Sequence, residues 1–91
     1  MPEITIEHNV SPAKLDTMHV DSWPIWTKEI STFDWHYDQE EICYVLEGEA
    51  IVTTKAGETV TIQRGDLVRF PAGLDCTWQI TEDLEKHYTF L

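Results

Sequence analysis

Four glycines punctuate the middle of this chain at near-regular intervals, at Gly48, Gly57, Gly65 and Gly73. The runs between them, Ala50–Thr54, Thr59–Gln63 and Leu67–Phe70, are too short for ordinary helices and rich in residues that suit a pleated, half-buried surface. Lys55-Ala56-Gly57-Glu58 reads as a hairpin turn, with further turns at Arg64-Gly65-Asp66 and Pro71-Ala72-Gly73. Ahead of them, Trp26–Ser31, Thr32–Tyr37 and Glu41–Leu46 are strand-like, the last stopping at Glu47-Gly48. Asp75–Thr81 and Leu84–Leu91 follow. At the start, Ile4 and Ile6 alternate with Thr5 and Glu7 as a short strand, and Ser11-Pro12 opens a brief helical turn. Val20–Pro24 is expected to be extended or turn-like, because proline biases the preceding Trp23 away from helix. Eight or nine strands with almost no helix predict an all-β domain, a sandwich or a small barrel of jelly-roll type.

Ninety-one residues make one domain near the lower size limit for a single core. Ten aromatic residues compensate, since each can bury ~150–250 Å². The net charge of −11 repels phosphate backbones, so nucleic acid and anionic membrane surfaces are poor partners. MPEITIEHNV has neither the basic start nor the apolar run of a signal peptide. No apolar stretch reaches the ~20 residues of a transmembrane helix. A cytoplasmic protein with Cys43 and Cys76 as reduced thiols is the expectation.

Two turn patterns carry a family resemblance. Gly65, five residues, then Pro71, Ala72 and Gly73 match the second motif of the cupin superfamily (G-x5-P-x-G-x2-H-x3-N) in identity and spacing. Glu41 and Gly48 match the end of the first (G-x5-H-x-H-x(3,4)-E-x6-G). The chain more closely resembles the small single-domain cupins grouped with ethanolamine-utilisation proteins and (S)-ureidoglycine aminohydrolase. That likeness rests on Trp23-Pro24-Ile25-Trp26, Phe33-Asp34-Trp35, the run Glu41–Gly48, Phe70–Gly73, Cys76-Thr77-Trp78 and Lys86-His87-Tyr88. It implies a jelly-roll cupin barrel over residues 23–91, with residues 1–22 as an N-terminal extension packed on it, and a homodimer.

In metal-binding cupins two histidines and a glutamate of the first motif meet a histidine of the second inside the barrel. Carried over, Glu41 holds the glutamate position and Cys76 that of the last histidine, while Ile80 replaces the following asparagine. With four residues before Glu41, the histidine positions fall on Asp34 and His36, giving Asp34, His36, Glu41 and Cys76 as ligands for Zn, Fe or Mn. With three, they fall on Trp35 and Tyr37, which would fill the ligand cavity instead. This shorter spacing is the one the aminohydrolase branch resembles, and no metal cofactor is then expected.

Strand alternation sends Glu41, Cys43 and Val45 inward, facing Cys76, Trp78 and Ile80. A carboxylate there needs a partner. On the last strand Lys86, Tyr88 and Phe90 share the face taken as inward, and Lys86 is the candidate, with a solvated lysine as the alternative. The expected pocket residues are therefore Glu41, Cys43, Cys76, Trp78, Trp35, Tyr37, Lys86 and Tyr88. Trp23 and Trp26 are read as core or dimer contacts, and His8 and His19 as surface residues. The functional expectation is a cupin that binds a small polar metabolite within the barrel. The alternative implied by the resemblance is a metal-dependent aminohydrolase that releases ammonia.

Overall fold

The computed structural model describes residues 4–91. The part of the first-strand reading that falls on residues 1–3 lies outside them. Among the described residues, seven antiparallel strands carry the fold: β1 (Thr5–Glu7), β2 (Ile25–Lys28), β3 (Ser31–His36), β4 (Glu41–Thr54), β5 (Thr59–Gln63), β6 (Leu67–Phe70) and β7 (Asp75–Phe90). One short helix, α1 (Pro12–Met18), and a 3-10 turn over Val20–Ser22 separate β1 from β2. Ser11 caps α1 by accepting the Lys14 N–H, and Trp23 is extended ahead of Pro24, as its neighbour requires.

Strands read as separate turn out to be continuous. β4 runs straight through Glu47-Gly48, and β7 through Glu82-Asp83. The two pair along almost their whole length, with register shifts between Val45 and Ala50. Because β4 stays paired with β7 on both sides of Gly48, the chain forms a bulge there rather than a turn. The Gly48 φ of +92° suits glycine alone, and a Cβ there would overlap the carbonyl oxygen of Asp83. Across this bend Thr81 Oγ1 donates to the Glu49 carboxylate at 2.8 Å.

The bulge lets the β4–β7 ribbon serve two halves of one continuous sheet. Beyond Gly48, β4 pairs with β5 and β7 with β3; before it, β4 pairs with β6 and β7 with β2. β1 extends the second half by pairing with β6. The halves close over one core in which Cys43, Val45, Ala50, Val52, Ile62 and Val68 are fully buried. Phe70 stacks on Tyr37 at 4.9 Å and tilts against Trp78 at 5.5 Å, joining the two halves. Burial of an indole such as that of Trp78 is worth on the order of 4–6 kcal/mol as an upper bound. On the outer face of β4, Ile42 packs with Val10 and Leu67 beneath Leu15, Met18 and Trp23 of the N-terminal segment. Strand period 2 thus assigns the first part of β4 to two apolar clusters, which explains why Glu41, Ile42 and Cys43 are buried in succession.

Candidate functional site

The strand frame leaves a cavity of about 240 Å³ at one end of the barrel. Trp26 of β2, Phe33 and Trp35 of β3, and Trp78, Tyr88 and Phe90 of β7 supply its aromatic walls. Tyr37 follows β3 and is fixed by its backbone, donating to Leu74 and accepting from Gly73 in the turn after β6. That turn therefore points the Tyr37 ring at Phe70. Among the described residues, Glu41 and Lys86 are the only charged groups lining the cavity.

Glu41 and Lys86 form a buried ion pair. Lys86 Nζ donates to Glu41 Oε2 at 2.7 Å, and both residues are about 5% exposed or less. The ammonium also lies over the rings of Trp78 at 4.7 Å and Trp26 at 5.0 Å, whose π faces attract it. Register explains the meeting: Lys86 is paired with Trp26 on β2 and Val45 on β4, on the face that Glu41 shares. The reading of Lys86 as a solvated lysine is thereby corrected.

The four-ligand reading does not assemble. Phe33, Trp35 and Tyr37 face the cavity, so alternation turns Asp34 and His36 outward. His36 is exposed and bonds Asp75 through Nδ1 at 2.7 Å, while Asp34 accepts from Thr77 at 2.8 Å. Among the described residues, no three His, Cys, Asp or Glu side chains converge to hold an ion. The donor set is also chemically unsuited to one. The two inward first-motif positions carry aromatic rings, and an ammonium already occupies the face of Glu41. The residues at this position do not fit the metal that the cupin fold implies.

The thiols sit apart from the cavity. Cys43 is packed in the core, and Cys76 lies behind Trp35, whose carbonyl accepts from its Sγ at 3.7 Å. Neither lines the aromatic cavity, in contrast to the expectation, because an inward direction on a strand does not specify depth. Burial pushes the Cys43 thiol up to about 12 and the Cys76 thiol up to about 11. Burial, and then the Glu41 carboxylate, hold the Tyr37 phenol far above its ordinary range. Three residues that sequence reasoning did not place in the site, Trp26, Phe33 and Phe90, line it. Phe33 and Phe90 share strand parity with Trp35 and Tyr88, a signal that was available; Trp26 depends on the long-range β2–β7 register.

Comparison with known proteins fits this geometry. The profile of the EutQ-like cupin domain matches residues 15–88. The chain belongs to the EutQ-like cupin family. Among solved structures, this EutQ-like cupin is similar to a DUF861 family protein from Thermotoga maritima, with 49% identity and a TM-score of 0.95 over 98% of this chain and 100% of that one. It also resembles a putative ethanolamine utilization protein Q from Salmonella typhimurium, at 27% identity and a TM-score of 0.66, covering 72% of this chain and 53% of that one. The EutQ protein of Clostridium difficile shares the fold at 19% identity and a TM-score of 0.68, over 98% of this chain and 68% of that one. No functionally curated protein matches the chain. No helix among the described residues is long and apolar enough to cross a membrane.

The weakened acidities of these three buried groups in this EutQ-like cupin give a pH prediction. Cys43, Cys76 and Tyr37 all hold their protons more tightly folded than unfolded, where thiols titrate near 9.0 and the phenol near 10.0. Stability from these groups is therefore fully present below pH 9.0 and is lost as the pH rises toward about 12. Denaturant midpoints measured across that window should fall steadily. At neutral pH iodoacetamide should leave both thiols unmodified in the native protein and alkylate both in denaturant. Rapid native labelling of Cys43 would contradict the placement.

Proposed function

We propose that this EutQ-like cupin binds a small metabolite in the aromatic cavity and does so without a bound metal. The observation that carries the reading is the Lys86–Glu41 pair at 2.7 Å, a fixed positive charge at the carboxylate that a metal would need. Aromatic walls with a few convergent polar groups are the usual make-up of a small-molecule site. The aminohydrolase alternative requires converging ligands, and Asp34 and His36 face away from Glu41. The ethanolamine role in the name of the Salmonella relative is not carried over, since this chain spans about half of that one at 27% identity.

The test is a calorimetric screen of small metabolites run with and without chelator. Binding that survives chelation and is lost on Trp78→Ala supports the reading. Binding, or any amide-hydrolysing activity, that disappears with chelator and returns with Mn²⁺ would overturn it.

A further inference from the structure

The cavity's polar groups narrow the ligand further, on the footing of the small-molecule reading above. Glu41 Oε2 takes the Lys86 ammonium, and Oε1 carries no hydrogen bond from the described residues. Lys86 has three N–H donors, and that carboxylate is its one hydrogen-bond partner among the described residues. Both residues line the cavity, so its floor presents an unspent donor beside an unspent acceptor. The two charges cancel across 2.7 Å. A ligand that arrives charged must shed its water and meets one floor group of its own sign, with no free counter-charge to compensate. A neutral head group meets neither cost.

The walls add shape. Phe33 and Trp78 lie parallel within 4°, and Trp26 presents its edge to both. Flat rings pack against such faces and edges better than branched or saturated bodies. A volume of about 240 Å³ is below the roughly 300 Å³ at which pockets for drug-sized ligands begin, which leaves space for one ring and a short substituent.

We infer that the cavity selects a small, uncharged, planar molecule that bears an acceptor next to a donor, as in an aryl amide or a lactam. Its carbonyl oxygen accepts from Lys86, and its N–H donates to Glu41 Oε1. This pairing uses both groups left open by the ion pair. It also explains why a strongly acidic chain keeps a buried lysine at the base of an aromatic cavity.

Three probes of nearly the same shape separate the possibilities: benzamide is neutral with donor and acceptor, benzoate is an acceptor-only anion, and benzamidine a donor-only cation. Calorimetric titration of the full chain at neutral pH should rank benzamide ahead of both ions by about tenfold. Glu41→Gln uncovers the lysine charge and should move the preference to benzoate, whereas Lys86→Met should move it to benzamidine. Wild-type preference for either ion overturns the inference and leaves the small-molecule reading standing. Binding of none of the three also overturns it, while the broader chelator-controlled screen still judges that reading. The wild-type ranking decides the matter even where a variant fails to fold.

Discussion

Replacing Lys86 by methionine is expected to cost about 3–5 kcal/mol of folding stability, because it strands a buried carboxylate without its counter-charge. For a domain of this size that lowers the melting point by roughly 15 °C or more. The environment predicts an asymmetry. Glu41→Met leaves the ammonium over the π faces of Trp78 and Trp26, which still attract it. Lys86→Met leaves a carboxylate facing those same electron-rich rings, so it should be the worse variant. Methionine at both positions should lie within about 1 kcal/mol of wild type or above it, since apolar isosteres often match a buried pair. Urea denaturation of the four proteins completes the cycle. Independent, additive single effects would mean that the two groups do not meet.

Gly48→Ala is expected to be nearly as damaging, for a different reason. At φ +92° a methyl group strains its own backbone and overlaps the Asp83 carbonyl of the partnered strand. That oxygen is main chain and cannot rotate aside. Only a shift of β4 against β7 relieves it, at the bulge where the ribbon passes from one half of the sheet to the other. A loss of at least about 3 kcal/mol is expected, read as a melting point lower by roughly 12 °C. Gly57→Ala is the control: its φ is +96°, but none of the described residues beyond its chain neighbours lies within 4 Å of the added carbon. It should cost only about 1–2 kcal/mol, the backbone strain alone. Equal losses at the two glycines would remove the close β4–β7 approach from the account.

The same bulge marks the limit of sequence reasoning. Glycine after Glu47 signals a break in a strand, and a turn and a bulge use the same residue for the same positive φ. Only the pairing of β4 with β7 distinguishes them, so the sequence by itself reads as two strands where one bends. Period 2 was more informative at the site. It brought Glu41 and Lys86 to inward faces and made the partnership foreseeable, because a buried carboxylate must be compensated. It also gave two incompatible directions for His36, according to how the loop before Glu41 is counted. Phe33, Trp35 and Tyr37 in the cavity wall settle the count for the shorter spacing. Trp26 was beyond reach because its place follows from pairing with Lys86, sixty residues further along the chain.

The Lys86 ammonium lies 2.7 Å from Glu41, the residue that matches the metal-ligating glutamate of the first cupin motif. The most direct measurement is the transition-metal content of the wild-type protein, expressed with added Mn²⁺, Fe²⁺ and Zn²⁺ and purified without chelator. Far less than one ion per chain is the expected result, unchanged in Glu41→Ala. One ion per chain, lost in Glu41→Ala, would contradict it.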